Sequence, residues 1–160
     1  MRRRHSQIAF VGTLHFVTTS TRVMGNWFVD DAACRAVLDV FETNRVKFGV
    51  VCYGYVLMPD HFHALLGQTE DGMAVPRLMQ AFKSTVAHIC QPHGYPPSLP
   101  LWNSHYDDVP IPGPRAAIIR RRYMHFNPVK RGMAAAPEDY FWSSARFFFF
   151  EEPGVITVTY

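Results

Sequence analysis

The chain has 160 residues, of which 48% are hydrophobic and 18% are charged. A chain of this length forms one domain and buries about two-thirds of its unfolded surface without help from metals or disulfides. The formal net charge of +3 is too small to indicate a particular class of partner. The longest uncharged apolar run, residues 49–58, is about half as long as a membrane span, which argues against a membrane protein.

The cysteine content argues against a secreted, disulfide-stabilised fold. The three cysteines, Cys34, Cys52 and Cys90, contain no C-x-x-C pair, so a zinc ribbon is not expected either. The N-terminal arginines are not followed by the uninterrupted apolar segment of a signal peptide. We therefore expect a reducing compartment, the cytoplasm.

The first predicted elements are a strand and a helix. Residues 8–21 are rich in Val, Thr and Phe with partial alternation, which predicts a strand. Asp30 is a suitable N-cap for a helix that runs to about Val46, because apolar residues recur on one face and Gly49 follows the end.

A hairpin and a second helix come next. Two apolar runs, 48–57 and 61–66, are separated by the turn sequence Met-Pro-Asp, which predicts two antiparallel strands. A second helix is predicted from about Val75 to Cys90, where apolar residues recur at helical spacing, namely Val75, Leu78, Met79, Phe82, Val86 and Ile89.

Proline positions shape the prediction for the following region. Six of the 12 prolines fall within residues 91–113, which predicts a loop with a short strand around Trp102 to Asp107. A third helix is predicted to begin at Arg115 or Ala116 and to end at Phe126. Its end is assigned there because Pro128 cannot donate a hydrogen bond and disfavours the helical conformation of the residue before it.

The C-terminal region, residues 137–160, is predicted to be an extension of a single domain that spans 1–160. It contains four consecutive phenylalanines at 147–150, which we expect to pack on the body or on a partner chain, and it ends in VITVTY, which suits an edge strand. The order of elements predicts an α+β sandwich with one antiparallel sheet and helices mainly on one face. The sequence leaves a monomer and a homodimer both open.

The first candidate functional residues are two histidines on one predicted strand. His61 and His63 are two positions apart, so both side chains leave the same face of the sheet. Imidazole nitrogens on this spacing can converge on one metal ion. The alternative is that one histidine makes a loop hydrogen bond and the other is incidental.

Other histidine-based sites fit the sequence less well. A histidine-triad nucleotide hydrolase needs a third histidine four residues after His61, where the chain has Leu65. Two-histidine phosphodiesterases need two His-x-Thr or His-x-Ser repeats, and neither occurs around His61. Cys90 and His93 have no second pair at zinc-ligand spacing.

The positive charge is concentrated near the third helix. Six basic residues and no acidic ones fall between 115 and 131, namely Arg115, Arg120, Arg121, Arg122, Lys130 and Arg131. Such a cluster is either a solvated helix face or a phosphate-binding surface.

Tyr123 and Asn127 lie within this basic segment, four residues apart, and share a helix face if the last turn stays regular. A tyrosine hydroxyl can form a covalent bond to phosphate, and a metal can stabilise the charge that develops. Two imidazoles, the Asn127 oxygen and waters suit Mn²⁺ or Mg²⁺, with zinc as an alternative. The competing interpretation of Tyr123 is a core tyrosine whose hydroxyl binds the backbone.

Three segments resemble the single-tyrosine transposases with an HUH motif, in the form typical of REP-associated tyrosine transposases. YGYVLMPDHFHALL at 53–66 resembles the HUH segment, YMHFNPVKRG at 123–132 the catalytic-helix signature, and DYFWSS at 139–144 the motif that follows it. Residues 77–83 and 101–102 are weaker matches. The departures are Lys130-Arg131, where the family has Arg-Ala, and Asn103-Ser104-His105, which fits the family loosely.

The resemblance implies a ferredoxin-like or RRM-like sheet in a bacterial cytoplasmic enzyme. It implies a transposase that cleaves and rejoins single-stranded DNA containing hairpins, with His61, His63 and Asn127 as ligands of Mg²⁺ or Mn²⁺ and Tyr123 as the nucleophile that holds a 5′-phosphate. On this basis the predicted DNA-binding residues are Lys83, Arg120, Arg121, Arg122, Lys130 and Arg131. The alternative is a domesticated nucleic-acid-binding module that keeps the fold and does not cut.

Overall fold

The structure is a computed structural model that describes residues 12–68 and 72–160. Its elements are β1 (Thr13–Ser20), α1 (Asp31–Phe48), β2 (Val51–Met58), β3 (His61–Gln68), α2 (Ala74–Ile89), β4 (Asp107–Ile111), α3 (Pro114–Lys130), a 3-10 turn (Pro137–Asp139) and α4 (Ala145–Phe150). The strands form one antiparallel sheet in the order β2-β3-β1-β4. With α1 and α2 as crossovers this is the ferredoxin-like topology, so the expected α+β class is confirmed.

The two faces of the sheet carry different helices. Helices α1 and α2 cover one face, where Phe41 and Phe82 pack on Phe62 of β3. Helix α3 packs on the opposite face, where Met124 joins a second apolar cluster with Val56. Helices α1 and α2 thus form the expected layer on one face of the sheet. Helix α3 forms a second layer on the other face, from which the His61 side chain of β3 projects.

Capping residues at the two ends of α1 explain where this helix begins and ends. Asp30 Oδ2 accepts a hydrogen bond from the Ala33 N–H at 3.0 Å, which caps the first turn. Gly49 ends the helix in the left-handed conformation, with φ at 67°. A residue without Cβ adopts this conformation at least cost, so the helix ends there.

The predicted end of the third helix at Phe126 is wrong, because α3 continues to Lys130. Pro128 lies in the last turn and removes only one N–H from the helix. Beyond it, the Arg131 N–H still donates to the Asn127 carbonyl at 3.1 Å. A proline this close to the C-terminus therefore leaves the helix intact, and Asn127 stays within it.

Two predicted strands differ from the structure. The fourth strand is β4, which begins at Asp107, while Trp102 forms only an isolated bridge with Thr21. The residues that follow α4 form no strand; Ile156 is nevertheless buried, and the Thr159 N–H donates to the Cys52 carbonyl at 2.9 Å. The first strand is confirmed over 13–20, and its predicted residues 8–11 lie outside the described residues.

The C-terminal region covers the free edge of β2. The Leu57 N–H donates to the Trp142 carbonyl at 2.8 Å, and the Ser144 N–H donates to the Tyr55 carbonyl at 3.0 Å. Of the four phenylalanines, 147 and 148 pack against the main core, which confirms that the tail packs on the body. Covering an edge strand in this way hides unpaired backbone groups.

Within residues 12–68 and 72–160, no helix combines the length and apolar character needed to cross a bilayer. Cys34, Cys52 and Cys90 are free thiols, and all three are buried. Burial raises the pKa of both Cys34 and Cys52 from 9.0 to about 12.

The two buried thiols predict a loss of stability in alkali. Above pH 9 the unfolded chain loses these protons while the folded chain retains them, so the free energy of unfolding falls as pH rises towards 12. The slope is at most about 1.4 kcal/mol per pH unit for each thiol. Urea unfolding at pH 7 to 10.5 measures it, and the double variant Cys34→Ala/Cys52→Ala should flatten the slope above pH 9 only. An unchanged slope would contradict the prediction.

Candidate active site

The His61 and His63 side chains lie side by side on the sheet face that α3 covers. Strand β3 is an inner strand, and pairing places His61 opposite Ser20 and His63 opposite Thr18 on β1. The centroids of the two imidazole rings are 4.7 Å apart. The two rings are therefore neighbours on one face of the sheet, and the convergence of their nitrogens on one metal ion stays a prediction.

Each ring is oriented through its Nδ1 atom. His61 Nδ1–H donates to Asp60 Oδ1 at 2.8 Å, and His63 Nδ1 lies 2.7 Å from Thr18 Oγ1. A metal-binding histidine normally uses one ring nitrogen for the metal and hydrogen-bonds the other. This arrangement leaves Nε2 of both rings as the candidate metal-binding atoms.

Burial keeps both imidazoles neutral. It lowers the pKa of His63 to about 3, with smaller effects from His61 and Arg131. Burial also lowers the pKa of His61, although the neighbouring Asp60 carboxylate opposes this shift. A neutral imidazole has the lone pair that a metal ligand needs, so the pair is ready to bind a cation at neutral pH.

One flank of α3 faces the histidine pair. Arg131 Nη1 lies 3.4 Å from Asp60 Oδ1, the carboxylate that orients His61. Near the middle of α3, the Arg120 guanidinium lies 5.4 Å from the centre of the Phe16 ring, which stacks on His63 at 5.3 Å. Asn127 is one helical turn from Arg131 and shares its flank. Its role as third metal ligand stays a prediction.

Tyr123 is not a core residue. Its side chain is 47% exposed, and Lys130 Nζ lies 4.5 Å from the centre of its ring. The interpretation of Tyr123 as a buried packing residue is therefore not supported. Its side chain is half exposed, and its role as nucleophile stays a prediction.

The basic residues predicted to bind DNA point in different directions. Arg122 is exposed, whereas the Arg121 guanidinium lies 3.8 Å from the centre of the Phe148 ring, and burial lowers its pKa to about 10. Lys83 belongs to α2, on the other side of the sheet, and its Nζ donates to the Asn103 carbonyl at 2.8 Å. The structure thus brings Arg131 to the histidine pair through Asp60, places Arg120 over the Phe16 ring that stacks on His63, and does not bring Arg121 or Lys83 there.

The donor set suits a metal that accepts neutral oxygen ligands. In the described ranges of the chain, no group of three or more His, Cys, Asp or Glu side chains forms a metal site. Two imidazole Nε2 atoms with an amide oxygen, phosphate or water could hold a divalent cation, and its identity as Mn²⁺ or Mg²⁺ stays a prediction.

Sequence reasoning missed the residues that support this site. Asp60 directly precedes His61, and a carboxylate beside a candidate ligand was an available signal. His125 is buried, with Nε2 2.7 Å from Ser144 Oγ, and the same oxygen accepts from the Tyr55 N–H at 2.9 Å. This buried contact ties α3 to the C-terminal region and to β2; no spacing rule would have found it.

Comparison with solved structures gives a match along the whole chain. A REP-associated tyrosine transposase bound to a REP hairpin matches with a TM-score of 0.64 and 14% identity, covering 100% of this chain and 92% of that one. The chain is therefore similar in fold to a REP-associated tyrosine transposase. A candidate transposase from Deinococcus radiodurans R1 matches with a TM-score of 0.46 and 21% identity, covering 75% of this chain and 95% of that one, which is too low to establish a shared fold. No family model and no curated protein matches the sequence.

The exposure of Tyr123 predicts that its hydroxyl is unimportant for stability. Tyr123→Phe should change the free energy of unfolding by less than about 0.5 kcal/mol, as is usual for surface positions. The matched control is Tyr140→Phe, because Tyr140 is buried and its hydroxyl donates to the Leu57 carbonyl at 2.6 Å. That variant should lose about 1–3 kcal/mol. Urea denaturation measures both, and equal losses would contradict the assignment of Tyr123 as a non-structural residue.

Proposed function

We propose that the protein is a metal-dependent tyrosine transposase that cleaves and rejoins hairpin-containing single-stranded DNA. The observation that carries this proposal is the histidine pair, whose two Nδ1 atoms are both engaged and whose two Nε2 atoms remain for a metal, beside the helix that presents Tyr123. The fold is that of a transposase whose solved structure contains a REP hairpin. Hairpin DNA is accordingly the first substrate to test.

His61 and His63 would hold the divalent cation, with Asn127 as a further ligand. When bound, Mg²⁺ or Mn²⁺ polarises the scissile phosphate and offsets the negative charge that develops on it. Asp60 and Thr18 keep the two rings in position by their contacts to Nδ1. The His61 imidazole is neutral and carries its proton on Nδ1. A metal can therefore bind its Nε2 atom without displacing a proton.

Tyr123 would supply the nucleophile. Its hydroxyl oxygen forms a bond to phosphorus while the bond to the 3′ oxygen breaks; the phenol proton passes to solvent and the leaving oxygen gains one as a 3′-hydroxyl. The 5′-phosphotyrosine bond retains the energy for rejoining, so no ATP is consumed. Lys130, whose Nζ lies over the Tyr123 ring, would supply positive charge next to the attacked phosphate.

The proposal predicts a covalent protein–DNA adduct. Wild-type protein incubated with 5′- and 3′-labelled DNA hairpins and Mn²⁺ should give an SDS-stable band that carries only the strand with the new 5′ end. Tyr123→Phe should give none, because it lacks the attacking oxygen. The matched control is Tyr160→Phe, since Tyr160 is 43% exposed and should be dispensable.

An adduct that persists in Tyr123→Phe would remove the proposed nucleophile. If no adduct forms with any hairpin while hairpin binding is retained, the non-cutting binding module becomes the better interpretation.

The contact between Asp60 and His61 predicts an effect on metal affinity. Asp60→Asn keeps the size of the side chain and removes the charge that fixes the ring, so Mn²⁺ affinity should fall about 10- to 100-fold. Titration of free Mn²⁺ by electron paramagnetic resonance measures it. The matched control is Asp108→Asn, because Asp108 makes the same contact, at 2.8 Å, to His15 in another part of the sheet. Equal affinity in the two variants would contradict the assigned role of Asp60.

A further inference from the structure

Helix α3 carries an apolar ridge that faces away from the sheet. The ridge consists of Ile119, Tyr123 and Phe126, whose spacing of four and three residues confines them to an arc of about 60°. All three side chains are about half exposed or more, at 60%, 47% and 49% respectively. The buried residues Ala117 and Met124 occupy the opposite side of the helix. Core packing on the described body therefore does not explain the apolar ridge.

Positive charge surrounds the ridge. Between Pro114 and Lys130 the helix contains five basic residues and no acidic residue. Arg115 and Arg122 are exposed on one side of the ridge, and Lys130 continues its line, one turn beyond Phe126. Aromatic rings bordered by exposed cations suit single-stranded nucleic acid, whose bases stack on the rings while its phosphates pair with basic side chains.

We propose that the α3 ridge is a stacking platform for unpaired bases, and that the Phe126 ring holds the base next to the phosphate that Tyr123 attacks. This inference rests on the proposed function and assigns part of its substrate site. Phe126 lies three residues from Tyr123, so the two rings are neighbours on the helix surface. A base on Phe126 therefore positions its phosphate near the Tyr123 hydroxyl, which makes Phe126 a positioning residue.

A second copy of the chain is a less suitable occupant of the ridge. Two copies related by a two-fold axis would bring the same uncompensated basic residues together, and such like-charge contacts are unfavourable. A polyanion neutralises that charge on binding. Charge complementarity thus favours single-stranded nucleic acid over self-association.

The test measures binding of fluorescein-labelled oligothymidylate, dT20, in EDTA, so that the metal site does not contribute. Phe126→Ala should weaken binding about tenfold, the effect expected for one stacked base, whereas Phe126→Trp should restore it. Phe150→Ala is the matched control, because Phe150 is an aromatic residue of similar exposure, 54%, on α4. It should bind as wild type does.

A second oligonucleotide separates stacking from a general effect on the protein. In a dT20 analogue whose bases are replaced by abasic residues, wild type and Phe126→Ala should bind equally, because no base remains to stack. Phe126→Ala should also leave the salt dependence of dT20 binding unchanged, while Arg122→Ala should reduce the slope of log K against log salt by about one.

Equal dT20 binding by wild type and Phe126→Ala would overturn the platform. So would sedimentation that shows a wild-type dimer dissociated by Phe126→Ala without any change in DNA affinity. These binding results can be distinguished from the results of the adduct experiment that tests the proposed function. A Tyr123-dependent adduct without any Phe126 effect overturns the platform alone, and a base-dependent Phe126 effect without any adduct supports the platform and overturns the transposase.

Discussion

The alternation of side chains along β3 sets the positions of both the main core and the histidine pair. Phe62, Ala64 and Leu66 point into the core under α1 and α2, and this burial fixes the position of the strand. Since successive side chains leave opposite faces, His61 and His63 must point to the other face. A slip of one residue would turn these core residues towards α3 and place both imidazoles in the apolar core under α1 and α2. The packing of a core on one face thus creates a polar pair on the other.

Helix α3 shares that second face because of three contacts of different kinds. Gly54 allows close approach, since a Cβ there would lie 2.8 Å from Met124 Cε. His125 binds Ser144 through a buried hydrogen bond, and Arg131 binds Asp60 next to the histidine pair. These contacts fix the helix on its inner side and leave Tyr123 on its outer side. Tyr123 is accessible because the contacts that hold the helix in place lie on its other side.

Much of this arrangement is predictable from the sequence. Strong periodicity predicted α1, α2 and the hairpin, and the spacing of two residues placed both histidines on one face. The resemblance to REP-associated tyrosine transposases predicted the sheet topology. These predictions succeed because each depends on local pattern or on residues that are close in sequence.

The remaining features depend on contacts between distant residues. A β-bulge between Cys52 and Gly54 shifts the alternation of β2, so Tyr53 and Val56 share a face although their spacing is odd. The predicted end of α3 was too early because the prediction did not consider that Pro128 lies in the last turn of the helix. The division of the basic cluster, with Arg121 against Phe148 and Arg120 towards Phe16, follows from tertiary packing. Sequence spacing shows that these residues share a helix and does not show what lies opposite each one.

We propose that the alternation of β3 presents two imidazole Nε2 atoms to one divalent cation. Electron spin echo envelope modulation of the Mn²⁺-loaded protein tests it most directly, because nitrogen atoms bound to manganese modulate the echo. We expect modulation from two imidazole nitrogens in the wild type and from one in His63→Ala. Modulation without any imidazole nitrogen in the wild type, with Mn²⁺ bound at full stoichiometry, would contradict it.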